Sequence, residues 1–181
     1  MPSFIKMHRL PDSPQIEGMR QMKERDVKEV TELLNNHLRE SYKVHIVLDQ
    51  EEVAHWLLPR EKVIYSYVVE GDKGEITDLL SYYELNSHIL QHPQYDKINI
   101  AYASYSVAKG NDTNRLRLLY RDALILAKKD GFDVFNVTEV CQHKRMLEDL
   151  MFKIGDGKLH HYLFNWKVPA CEPEDIGIIM M

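Results

Sequence analysis

Apolar positions along the chain change period several times, and each change predicts an element. In ERDVKEVTELLNNHLRESY, Val27, Val30, Leu34 and Leu38 recur at helical spacing, and Asp26 stands where an N-cap belongs. KVHIVL (43–48) suits a short strand, and DQEEVAHWLLP a short helix that Asp49 caps and Pro59 stops. VIYSYVVE and EITDLLSYYEL are rich in β-branched and aromatic residues, and GDKG joins them, which predicts a hairpin. INIAYASYSVA (98–108) predicts a further strand. After GNDTNR, with Thr113 or Asn114 as cap, Leu116, Leu119, Tyr120, Ala123, Leu124 and Ala127 form one helical face. Lys128, Lys129 and Gly131 suit that helix's C-terminus. FDVFNV then predicts a short buried strand, TEVCQHKRMLEDLMF a helix capped by Thr138, IGDGK a turn, LHHYLFNWKV a strand and IGIIMM a last strand.

This order defines an α/β (α+β) chain with a mixed, mostly antiparallel sheet and flanking helices. It is similar to the acetyltransferase (GNAT)-like order. Residues 1–19, ending in the Pro- and Gly-punctuated LPDSPQIEGM, read as an extended lead-in, and 20–181 as one domain. Hydrophobic content of 44% supports a core, and 28% charged residues supply an ordinary surface. A net charge of −5 carries no nucleic-acid footprint. The two cysteines, Cys141 and Cys171, lack CxxC spacing, which points to a reduced, cytoplasmic setting. No apolar run is long enough to cross a membrane, and MPSFIKMHRL lacks a signal-peptide core.

Few side chains announce chemistry by spacing. His88 and His92 stand four apart, as two ligands on a helix would, but no third ligand follows and Pro93 comes next; a surface or capping role is the reading, and no metal is expected. His160 and His161 would face opposite sides of a strand. Cys141 reads as a packed thiol. In GDG (155–157) a tight turn calls for positive φ at Gly155 or Gly157; its amides with the Asp156 carboxylate would suit a polar or cationic ligand group. Tyr82, Tyr83, Tyr102 and Tyr105 either line a groove or pack in the core. The chain closes on the apolar run IGIIMM, where polar, frayed sequence is the rule.

HRLPD, EEVAHW, GEITDLLSYYEL, ALILAKKDGFDVFNV, FKIGDGKL, YLFNWK and that apolar end occur in one order. Together they closely resemble the C-terminal half of eukaryotic N-myristoyltransferase (glycylpeptide N-tetradecanoyltransferase), over residues 8–181. The resemblance implies two acetyltransferase-like halves related by a pseudo-twofold axis. The first half supplies most of the myristoyl-CoA site and a backbone-amide oxyanion hole. The second supplies much of the groove for peptides and proteins with an N-terminal glycine.

It also implies a role for the chain end. The carboxylate of Met181 would act as general base on the substrate's glycine ammonium, with Ile176, Ile178 and Ile179 anchoring it. Asp156, Gly157 and Leu159 match the peptide-contacting turn; Ser87, Tyr102 and Asn136 match groove residues; Met180 adjoins the base. By the same resemblance the partners are glycine-terminated proteins and the N-terminal half, with no nucleic acid and no membrane span. Myristoyl-CoA is the co-substrate, and this half alone is expected to be inactive. A non-catalytic GNAT-like peptide-binding domain is the alternative. The family's Tyr-x-Phe-Tyr-Asn reads here Tyr102-Ala103-Ser104-Tyr105-Ser106, its Tyr-Leu-Tyr-Asn-Trp reads Tyr162-Leu163-Phe164-Asn165-Trp166, and the last residue is Met rather than Leu or Gln.

Overall fold

The computed structural model describes residues 6, 8–140, 144–155 and 157–180, without the side chains of 144 and 145. Its central strands are those with the longest apolar runs: β3 (Ile64–Glu70), β4 (Ile76–His88) and β5 (Lys97–Val107). They form an antiparallel meander. Before them β1 (Met19–Gln21) pairs antiparallel with β3, and after them β6 (Val134–Asn136) pairs parallel with β5. Strand order is therefore β1-β3-β4-β5-β6. A second, two-stranded sheet joins β2 (Val44–His45) in parallel to β7 (Ile176–Gly177).

Helices cover both faces of one half of the main sheet. On one face, α1 (Val27–Ser41) and α2 (Gln50–Leu57) press Val30, Leu34, Leu38, Val53 and Leu57 onto Val68, Leu79, Tyr105 and Val107. On the other, α3 (Thr113–Lys129) packs Leu119, Ala123 and Ala127 onto Val69, Leu80, Tyr82 and Ala101. The short α4 (Lys144–Asp149) adds Met146 against Tyr120 and Ala103. With both faces covered, the first seven residues of β4 are all buried rather than alternating.

Polar chemistry at the element ends differs in detail from the sequence expectation. Asp26 precedes α1 but does not cap it; its carboxylate takes both Arg20 terminal nitrogens, at 2.7 and 2.9 Å, and the Lys23 amide. The Arg20 guanidinium holds Asp26 below its ordinary pKa although burial opposes this. Asp49 caps α2 as expected, within a reciprocal box with Glu52. Asp112, not Thr113 or Asn114, caps α3 by accepting from the Asn114 amide at 2.8 Å. Gly131 follows α3 with φ +85°, as its cap position requires.

Two buried carboxylates tie elements together. Asp122, fully buried on α3, accepts the Gln15 and Ile16 amides at 2.7 Å each and so docks the segment leading into β1. Asp78, fully buried on β4, receives Arg115 on both oxygens at 3.0 Å, the Lys109 amide and the Thr77 hydroxyl. Burial pushes the Asp78 carboxyl up, but these donors outweigh it and leave its pKa lowered.

Four expectations fail or hold only in part in the last third. FDVFNV forms a strand only over Val134–Asn136, and it is half-exposed because it is the sheet's edge, not its centre. Of TEVCQHKRMLEDLMF only Lys144–Asp149 is described as helix. Thr138 stands well before it, and Cys141 lies outside the described residues. LHHYLFNWKV is not a strand: 157–172 has no helix or strand, and Tyr162, Phe164 and Trp166 are 87%, 87% and 77% exposed. Strand-forming residues become a strand only against a neighbour, and nothing among the described residues pairs with them. The final apolar run is strand only at Ile176 and Gly177.

Candidate functional site

The candidate site lies where the helices stop covering the sheet. Val68 and Leu79 belong to the core under α1, so by strand alternation Ser81, Tyr83, Leu85 and Ser87 share that face. Tyr83 registers with Tyr102, and Tyr102 with Asn136, placing the three in one row across β4, β5 and β6. The Tyr83 and Tyr102 rings stack at 5.6 Å. Beyond that row stand Leu85, Ile100 and Val134, then Ser87 and Ile98. The row is half-buried and Leu85 is 48% exposed. Ser87, Tyr102 and Asn136 are thus brought onto one face of three adjacent strands. Burial, and then the neighbouring Tyr102, push the Tyr83 phenol above its ordinary pKa.

A β-bulge sets the next row. Leu80 registers with Ser106 but Tyr82 with Ala103, so Ser104 and Tyr105 together oppose Ser81. The Ser81 hydroxyl donates to the Tyr105 carbonyl at 2.7 Å. Simple alternation from Tyr102 would send Tyr105 to the opposite face; the extra residue returns it to the face of Tyr102 and of the α1 core.

There Tyr105 meets the chain's tail. The Lys43 amide donates to the Asp175 carbonyl, and the Lys43 ammonium pairs with the Asp175 carboxylate at 2.8 Å. β7 then pairs with β2, and Gly177 lies against the Tyr42 ring so closely that a Cβ would collide with it. The Ile179 side chain is buried in the α1 core, and its amide donates to the Tyr105 hydroxyl at 3.2 Å. Of the anchoring trio Ile179 is buried, while Ile176 and Ile178 are only partly so; Met180 is 62% exposed.

Other sequence candidates are placed less favourably. Asp156 and Met181 lie outside the described residues. Gly157 and Leu159 are exposed on the segment without regular structure, sharing no element with the tyrosine row. Neither Gly155 nor Gly157 adopts the positive φ expected of the turn, and Asp156 between them lies outside the described residues. His88 ends β4, and His92 follows it in a loop where its Nδ1 accepts from the Gln94 and Tyr95 amides. They are not a helical pair. No strand aims His160 and His161. Among the described residues no cluster of His, Cys, Asp or Glu suits a metal ion.

Tyr82 proves to be core, stacked on Tyr65 at 5.2 Å and edge-on to Phe132 and Phe135. The tail contact of Tyr105 was not legible in the sequence, since no residue pattern marks the bulge. Concavities among the described residues lie elsewhere than the tyrosine row. One is a pocket of about 20 Å³ beside His37 and Asn111, the other an open cleft of about 500 Å³ among Glu17, Glu70, Asp72, Glu75, Lys109 and Arg115. Neither contains a candidate side chain, and the open sheet face beside the tail is the better site on chemistry.

This sheet, with helices on both faces and a parallel last strand, defines the acetyltransferase-like class. A Trypanosoma brucei acetyltransferase superposes with a TM-score of 0.58 at 17% identity, over 80% of this chain and 98% of that one, which shows the fold alone. Residues 1–179 match the family described as myristoyl-CoA:protein N-myristoyltransferase, C-terminal domain, and the chain belongs to that family. It is 46% identical over 176 residues to glycylpeptide N-tetradecanoyltransferase 2 of Danio rerio, a match covering 97% of this chain and 35% of the relative. The crystal structure of Saccharomyces cerevisiae N-myristoyltransferase with bound myristoyl-CoA superposes with a TM-score of 0.80 at 31% identity. That match covers 86% of this chain and 42% of the yeast one. The chain thus spans well under half the length of these relatives.

Proposed function

We propose that this chain is the peptide-binding, C-terminal half of a glycylpeptide N-tetradecanoyltransferase. The complete enzyme transfers myristate from myristoyl-CoA to the N-terminal glycine of proteins. The observation that carries this reading is the tail: Ile179 is seated beside the open face bearing Ser87, Tyr102 and Asn136, two residues short of Met181. In this reading the carboxylate two residues on serves a peptide laid across the strands.

In this reading the Met181 carboxylate takes a proton from the glycine ammonium. The neutral amine attacks the thioester carbonyl, backbone amides of the other half hold the oxyanion, and CoA leaves as its thiol once a proton is returned. The transfer is uphill in water, since an α-carboxyl titrates at roughly 3.3–3.7 and an α-amine at about 8. Desolvation of both groups narrows that gap. Tyr102, Asn136 and Ser87 supply hydrogen bonds to the peptide, and Asp156, Gly157 and Leu159 contact residues further along it.

The second half of the proposal concerns the partner. The segment carrying the exposed Tyr162, Phe164 and Trp166 has no regular structure, and exposed apolar groups of this size suit an interaction surface. We assign it to the acyl-CoA-binding half that the longer relatives include, and expect no transfer without that half. Residues 1–19 serve as the lead-in to this domain and 20–181 as its body.

The test is made in the full-length protein. Residues added after Met181, or deletion of 179–181, should lower myristoyl transfer by orders of magnitude while acyl-CoA binding persists. Undiminished transfer by a C-terminally tagged protein would remove the base assignment.

A further inference from the structure

Resting on the reading of the chain end as base, we infer that the Tyr105 hydroxyl is the positioning group for that base. Three observations carry this. The bulge opposite Ser81 returns Tyr105 to the face on which the tail lies, and the Ser81 hydroxyl donates to the Tyr105 carbonyl within it. The pairing of β7 ends at Gly177, so beyond it the two-stranded sheet no longer constrains the chain. Among the described residues, the hydrogen bond closest to the chain end is the one from the Ile179 amide to Tyr105, and it is buried.

From the Ile179 amide to the last carboxyl carbon the chain reaches at most roughly 10 Å. Fixing that amide therefore limits how far the residues that follow it can wander. Met180, 62% exposed, contributes little to the confinement. The Ile179 side chain supplies burial, which is non-directional; the hydrogen bond supplies the direction. Tyr105 touches neither substrate nor reacting atoms in this account. It acts through the tail backbone.

Tyr105→Phe in the full-length enzyme removes the hydroxyl and keeps the ring in its core position. At pH 6.5 the substrate amine is protonated and needs the base, and kcat should fall about tenfold, the scale of one buried hydrogen bond. KM for peptide and for myristoyl-CoA should stay within about twofold. At pH 9 the amine, with a pKa of about 8, is already neutral, and the defect should shrink to less than about twofold. Loss of packing alone would lower kcat equally at both pH values, and that result overturns the inference, as does full kcat at pH 6.5.

Hydrogen exchange gives a second test, independent of how the variant folds. The Ile179 amide of the unsubstituted enzyme should exchange slowly, and free-chain exchange there also overturns the inference. Failure of the underlying reading looks different. Undiminished transfer by a protein extended past Met181 removes the base and this role with it, whereas an inactive extended protein beside a fully active Tyr105→Phe variant removes only the role of Tyr105.

Discussion

The two halves of β4 follow different rules although they are one strand. Its first seven residues are buried on both faces, even Asp78, which is held by Arg115. From Tyr83 onward the strand is half-buried to exposed, and Tyr83, Leu85 and Ser87 share a face with Tyr102 and Asn136. The first half has its chemistry satisfied within the chain. The second leaves its stacked phenols, an amide and a hydroxyl only partly covered. On the proposed reading, stability and recognition are separated along a single strand, with the Ser104–Tyr105 bulge at the junction.

That separation is open to attack by substitution. On the covered half, Tyr82→Ala removes a fully buried ring packed on four aromatic neighbours and should cost about 3–5 kcal/mol in urea unfolding. Tyr102→Ala on the open half should cost less than about 1 kcal/mol of stability and act instead on peptide KM. Equal stability losses at the two positions would erase the distinction.

Asp78→Asn leaves Arg115 facing a neutral amide and should cost about 3 kcal/mol. Because the folded-state pKa of Asp78 is lowered, its contribution is complete above the unfolded value of about 3.9 and is lost as pH falls through the folded one. The substituted protein should therefore lose less stability than the parent on acidification below pH 4. An unchanged acid slope would assign that sensitivity elsewhere.

The proposed contact of Asp156 with a basic peptide residue predicts that Asp156→Asn weakens lysine-containing peptides by about 1.5–3 kcal/mol. Peptides with alanine at that place should be nearly unaffected. Equal losses for the two peptides would leave Asp156 as a turn residue.

The smallest expected effect is at His37, where burial lowers the imidazole pKa against the opposing bond to Asn111 and the charge of Glu40. Below the unfolded value of about 6.5 the unfolded chain binds the proton that the folded one resists, so stability falls as pH drops. His37→Gln should flatten the urea midpoint between pH 7.5 and 5.5; an unaltered slope would place that pH dependence on other groups.

The covered half was largely legible in the sequence. Val30, Leu34 and Leu38, and the β3–β4 hairpin around GDKG, repeat at periods that burial imposes. The α3 face was found at Leu119, Ala123 and Ala127, but its buried Asp122 was not, because a partner fifteen residues from the start of the chain satisfies it. The residues of the proposed site come from the family resemblance, not from geometry read in the sequence. Tyr82 and Tyr83 are adjacent and alike, yet one is core and the other faces the open half, which alternation alone cannot assign. Residues 159–168 have strand composition without a strand, because a strand is a property of a pair and the pairing partner is not among the described residues.

The central claim is that the peptide lies on the open half of β4 and β5 beside the tail. Hydrogen exchange of the full-length enzyme with bound acyl-CoA, measured with and without a glycine-terminated peptide, tests it most directly. The account predicts new protection at 83–88, 97–102 and 176–180. Protection instead at 70–75 and 109–115, around the open cleft, would contradict it.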